Sequence, residues 1–198
     1  MTQVAKNQLK WRLADVQGSG SEQVSLVMPQ ITGNDIREFL LPTDIPSPQT
    51  TVEDLRWSDE DLELFFRLLE KQLGLEITED MPLDLHDEGV INILHVVAAA
   101  RFIIPAPAEG ILAEDINTVM EEYEPGDLVA IHSTDGFKSG IIVAMDSIEV
   151  TLVLLDYIDD SDGELLFDVY DTLLVNKHSL LPAEFGSVAG LEEPQYLH

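Results

Sequence analysis

Between Leu62 and Leu73 the apolar residues of this chain recur every three or four positions, and from Gly126 onward they recur every second one. The first spacing lines one face of a helix and the second one face of a strand, so the two stretches demand different secondary structures. The change of period predicts helices and an antiparallel sheet segregated along the sequence, an α+β protein. With 198 residues and 45% hydrophobic content the chain has enough apolar mass to bury a core.

The helical middle is the most specific part of this reading. Ser58 and Asp61 stand three apart as an acidic variant of the capping box, and Asp59 and Glu60 suit the positive end of the helix dipole. Leu62, Phe65, Phe66, Leu69 and Leu73 form the core-facing stripe, and Gly74 is placed to end the helix. A second helix, Glu88 to Arg101, is apolar nearly all round and is therefore expected inside the domain. Its His95 reads as a buried, hydrogen-bonding histidine. A third, short helix is expected over Ala113 to Tyr123, striped by Ile116, Val119, Met120 and Tyr123.

On the N-terminal side, Gln8 to Ala14 and Val24 to Ile31 alternate around Gly18-Ser19-Gly20 and predict a β-hairpin. Pro42, Pro46 and Pro48 crowd the segment Leu41 to Thr51, which reads as a linker or extended crossing segment. On the C-terminal side, Asp127 to His132, Phe137 to Met145 and Ile148 to Leu155 read as strands. Thr134-Asp135-Gly136 and Asp146-Ser147 supply the turns. Further strands are expected in Glu164 to Tyr170 and Thr172 to Asn176, completing an antiparallel SH3-like small β-barrel. The expected organisation is a β segment and Pro-rich linker over 1–50, a helical region over 51–123, a barrel over 124–186 and a loose tail over 187–198.

Charge narrows the function classes. The formal net charge is −28, and residues beyond position 50 carry almost all of it. Such a field repels phosphate backbones and anionic lipid, which argues against nucleic-acid and membrane-surface partners. It attracts basic surfaces within a screening length of about 8 Å at physiological salt. The alternative is that the charge serves only solubility or a salty cytoplasm. The chain has no cysteine, hence no disulfide or thiolate site. It has no apolar run near the ~20 residues that span a bilayer, and Met1 to Gly20 lacks the block of a secretory signal. These features together predict a cytoplasmic location.

Catalytic and metal signatures are missing. In the acidic loop Asp156-Tyr157-Ile158-Asp159-Asp160-Ser161-Asp162-Gly163-Glu164, an EF-hand register on Gly163 puts Ile158 and Val169 at the first and last ligand positions, where neither side chain ligates. Asp84, His86, Asp87 and Glu88 read chiefly as helix caps, with a small metal-dependent enzyme using Asp84, His86 or His95 as an alternative. There is no phosphate loop, HExxH or GxSxG. No catalytic residue, cofactor or metal site is therefore expected.

Gly126-Asp127-Leu128-Val129-Ala130, Asp135-Gly136-Phe137 and the strand Leu152 to Leu155 running into Asp156-Tyr157 resemble the Tudor domain pattern, as does the closing segment Leu180 to Phe185. The resemblance covers about a third of the chain. It implies an SH3-like barrel with an aromatic cage for methylated arginine or lysine, held by cation–π attraction. Phe137 and Tyr157 match cage positions. Lys138, Leu154, Ile158 and Asp159 replace the family's second turn aromatic, strand aromatic, glycine and asparagine, and Tyr170 is a substitute wall. The expected function is thus a non-catalytic acidic interaction protein of adaptor, chaperone or inhibitor/immunity type. Its basic partner is expected at Phe137, Tyr157, Asp156, Asp159, Asp160, Asp162 and Tyr170; a Tudor-like methyl-peptide reader is the alternative.

Overall fold

A computed structural model of the chain describes residues 9–15, 22–32, 35–47, 53–75, 86–113 and 122–186. It is a mixed α+β structure of two α-helices and twelve strands among these residues. Strands β1 (Lys10–Asp15), β2 (Glu22–Thr32), β3 (Asp35–Pro46) and β4 (Glu53–Arg56) form a sheet of order β3-β2-β1-β4. Its neighbours are antiparallel, with Trp11 opposite Leu26 and Leu55 in the centre.

The described part of the proline-dense segment, up to Pro46, is an extended strand, and Pro48 lies outside the described residues. β3 carries Pro42 and Pro46 opposite Ser25 and Gln23, and it is an edge strand. An edge leaves one row of backbone positions without a neighbour, so prolines fit there, and the register with β2 shifts between the two. The same prolines keep that edge from templating another strand.

Helix α1 (Asp59–Leu73) starts at the expected box: the Ser58 hydroxyl accepts from Asp61 N, and the Asp61 carboxylate accepts from Ser58 N. Gly74, at φ 63°, closes it in the left-handed conformation. Helix α2 (Glu88–Phe102) is capped by Asp87, whose side chain accepts from Gly89 N and Val90 N. It buries residues on every side, from Val90 to Ala99. The two helices meet closely at Gly89, where a Cβ would stand 2.7 Å from Leu73 Cδ2.

The C-terminal strands are β5 (Ala106–Pro107), β6 (Leu128–Ser133), β7 (Gly136–Met145), β8 (Glu149–Leu154), β9 (Ile158–Asp159), β10 (Leu165–Phe167), β11 (Thr172–Asn176) and β12 (Leu180–Pro182). Six of them make a sheet of order β12-β6-β7-β8-β11-β5, while β9 and β10 pair apart as a two-stranded ribbon. No closed barrel forms among the described strands: β12 and β5 are opposite edges. β5, which arrives from the helical region, lies parallel to β11 and occupies the edge there. The expected strand Glu164 to Tyr170 shortens to Leu165–Phe167, because Asp168 and Asp171 bond across a turn that follows at once. Of the expected third helix, Ala113, Glu122 and Tyr123 are non-helical; its remainder, like the tail beyond 186, lies outside the described residues.

Alternation in the sheet feeds two cores. Ile141 and Val153 join the first core, built on Trp11, Leu26, Phe65 and α2. Their chain neighbours Ile142, Leu152 and Leu154 join the second, with Val129, Ile131 and Leu173. A sheet with both faces covered needs near-continuous apolar strands, which explains runs such as Gly140-Ile141-Ile142-Val143. The helices therefore lie between the N-terminal sheet and one face of the C-terminal sheet.

Candidate functional site

The tight turn between β6 and β7 sets the first feature. Gly136 takes φ 101°, open to glycine, and pairs with Ser133. The Ser133 hydroxyl donates to the Gly136 carbonyl and accepts from Asp135 N. This projects Phe137 outward at the start of β7, with its ring stacked on His132 at 4.7 Å. β12 pairs with β6 and delivers the 3-10 turn Ala183–Phe185 to the same place, so the Phe185 ring comes within 5.6 Å of Phe137.

Lys138 ties this pair to the acidic loop. Its ammonium lies 5.0 Å from the centroid of the Tyr157 ring and 2.6 Å from Asp135. That ammonium, with the Asp159 N–H that also donates to Asp135, holds the Asp135 carboxyl below its ordinary range. Phe137, Tyr157 and Phe185 remain 37%, 53% and 47% exposed. Phe137 and Phe185 thus stand together in solvent, and Tyr157 stands exposed under the Lys138 ammonium.

The acids of the loop have local work as well as charge. Asp160 accepts from Asp162 N and Glu164 N at 2.8 and 2.9 Å, which shapes the turn around Gly163 at φ 78°. Asp162 is exposed at the tip and Asp159 half-buried. Asp156 is half-buried, and its carboxylate accepts from Ser139 N at 2.8 Å. Backbone amides supply donors that order these carboxylates. Asp146, Asp168 and Asp171 cap turns elsewhere in the sheet in the same way.

Tyr170 belongs to a different environment. It sits at φ 71°, strained for a residue with a Cβ, and turns toward α2. Its hydroxyl donates to Asn92 at 3.2 Å and its ring meets His95 edge-on at 4.9 Å. His95 is buried, with Nδ1 3.4 Å from an Asp44 carboxylate oxygen of β3 and no hydrogen bond at that atom. Burial lowers the His95 pKa from its ordinary value, and the Asp44 charge opposes that shift. The expected structural hydrogen bond at His95 is therefore absent at Nδ1; the Asp44 carboxylate at 3.4 Å and the Tyr170 ring are its neighbours.

Beside Tyr170 a cavity of about 310 Å³ opens between α1, α2 and the C-terminal sheet. Leu73, Ile93, Val96, Leu128, Ile141 and Leu155 form its apolar wall, and Asp156, Asn92 and Tyr170 are polar groups on its lining. The expected site residues therefore divide. Phe137 meets Phe185, Tyr157 lies under Lys138 at the start of the acidic loop, and Tyr170 and Asp156 line the cavity.

Two members of the aromatic surface escaped the sequence reading as site residues. His132 falls at an ordinary alternating position, and Phe185 lies some fifty residues from Phe137 in sequence. The closing segment Leu180 to Phe185 was the available signal, and only the β12–β6 pairing turns it into a contact. Of the alternative metal cluster, His86 is exposed and Asp84 lies outside the described residues. No three His, Asp or Glu side chains among the described residues are grouped to hold a metal. No helix among them is long and apolar enough to cross a membrane. No protein-family model matches the chain, and no curated protein is similar to it in sequence.

Proposed function

We propose that the chain is a non-catalytic interaction protein that docks a basic protein segment on the surface formed by the β6–β7 turn, the 157–164 loop and the Ala183–Phe185 turn. One observation carries the reading: Phe137, Phe185 and Tyr157 are large, exposed aromatic rings, and the acidic loop that follows Tyr157 meets the β6–β7 turn through the Asp159 N–H bond to Asp135. Aromatic faces and carboxylates are the two groups that arginine and lysine side chains engage best, through cation–π attraction and charge-assisted hydrogen bonds. Lys138 over Tyr157 is an intramolecular instance of the first. The net charge of −28 adds long-range attraction for such a partner and disfavours an anionic one. An adaptor, chaperone or inhibitor would each use a surface of this kind.

Titrating the isotope-labelled chain with an arginine-rich peptide tests the reading. Amide shifts are expected at 135–139, 157–164 and 183–185. Affinity should fall at least about tenfold as salt rises toward ~0.5 M, because the screening length shrinks toward a few ångströms. Phe137→Ala with Phe185→Ala should weaken binding by about 1–3 kcal/mol. Shifts confined to other surfaces, or binding indifferent to salt, would refute it.

The second reading is a Tudor-like reader of methylated arginine or lysine on an SH3-like scaffold, with Phe137 and Tyr157 as cage walls. The exposure of both rings and the cation over Tyr157 favour it. Methylated peptides binding more tightly than unmodified ones at these same residues would select it over general basic docking.

A further inference from the structure

We propose that the cavity between α1, α2 and the C-terminal sheet binds a small organic cation with an apolar body, whose ammonium or guanidinium group is held by Asp156. This site is separate from the aromatic docking surface, and its case does not depend on that reading.

The volume, about 310 Å³, is roughly ten times the ~30 Å³ share of one liquid water and lies at the lower end of the range for small-ligand sites. Leucine, isoleucine and valine side chains make most of the wall, so water filling it would find few partners, whereas an aliphatic or aromatic body would gain contact. Asp156 is the one ionised side chain on the lining. The backbone N–H of Ser139 fixes its orientation at 2.8 Å, and no lysine or arginine among the described residues forms an ion pair with it.

Two further polar groups of the lining are pre-positioned. Tyr170 is held at φ 71°, and its hydroxyl hydrogen is committed to Asn92 Oδ1. This leaves the phenol oxygen as an acceptor and the Asn92 amide N–H groups as donors. Backbone strain of this kind persists where the surroundings over-determine it, often at a binding site. A carboxylate beside apolar walls selects an amphipathic cation. It rejects the matching anion, and the field of a −28 molecule acts in the same sense.

Such a ligand is either a free amine or a lysine or arginine side chain inserted by a partner. The full chain, isotope-labelled, is titrated with 2-phenylethylammonium, with 2-phenylethanol as the neutral match and phenylacetate as the anionic one. Shifts at Ile93, Val96, Ile141 and Leu155 are expected with the ammonium, with about tenfold weaker binding of the alcohol and none of the anion. Asp156→Asn keeps an acceptor for Ser139 N but removes the charge, and should erase the preference of ammonium over alcohol while the thermal midpoint confirms folding. Competition by an arginine-rich peptide for the cavity shifts identifies an inserted side chain; additive binding identifies a free amine. Equal binding of alcohol and ammonium to the wild-type chain, or shifts only at Phe137 and Phe185, would overturn the site, and neither comparison needs a variant.

Discussion

Asp61 is a charged side chain only 5% exposed, and its surroundings explain why it is tolerated. Its carboxylate caps α1 through Ser58 N and also accepts from Trp11 Nε1 at 3.2 Å. Trp11 in turn stacks on Trp57 at 4.8 Å and meets Phe102 edge-on. One residue thus joins helix start to sheet core. Asp61→Ala removes the reciprocal cap and strands a buried indole N–H, so a loss of about 2–4 kcal/mol is expected, read as a lower urea midpoint. The capping half of this role is legible from Ser58 and Asp61 alone. The tryptophan half is not, because Trp11 lies fifty positions away.

His95 makes a second residue-scale prediction. Desolvation lowers its folded pKa below the ordinary 6.5, with Asp44 of β3 partly opposing and the uncharged Tyr170 ring against its edge. The unfolded chain then binds the proton more readily than the folded one. Stability is unaffected above pH ~6.5 and declines as pH falls from there to the folded pKa. Urea midpoints between about pH 7 and 5 should drop for the wild-type chain and change less for His95→Gln. That interval lies above the ordinary carboxylate range, so acid titration does not mimic it.

At the scale of elements, β3 shows how local chemistry and tertiary position interact. Prolines are excluded where a strand is paired on both sides but not at an edge or, like Pro29 of β2, beyond the reach of one neighbour, so whether Pro42 and Pro46 lie in a linker or a strand depends on which neighbour β2 finds. Replacing both with threonine restores two N–H donors on an exposed edge. The variant should keep its fold and gain concentration-dependent self-association, visible by sedimentation. The strands of the C-terminal sheet carry a similar lesson. Their apolar runs around Ile141 and Leu152 signal burial on both faces, which a free-standing small barrel does not require on its outside. What covers the second face, α2, is itself predicted from its all-round hydrophobicity; that the two meet is a tertiary fact.

Across the whole molecule, the first core takes in Trp11 and Met28 of the N-terminal sheet, Phe65 and Leu94 of the helices, and Ile141 and Val153 of the C-terminal sheet. Because these residues share one cluster, the described regions should unfold in a single transition, with calorimetric and van't Hoff enthalpies in agreement. Two resolved transitions would mean that the sheets are energetically independent. The net charge acts on the same transition. The carboxylates, which far outnumber the basic residues, repel one another in the compact state, so raising salt to about 0.5 M should raise the midpoint while weakening a basic partner.

Periodicity, capping residues and turn glycines are short-range properties, and they determine the α+β class, α1 with both its ends, the cap of α2 and the β6–β7 turn without reference to any distant residue. Charge is a sum and is equally readable. Strand neighbours, the open order of the C-terminal sheet, the meeting of Phe137 with Phe185 and the cavity beside Tyr170 depend on contacts between residues far apart in sequence. Those contacts arise only when apolar faces compete for burial in three dimensions, and no local pattern records which face wins.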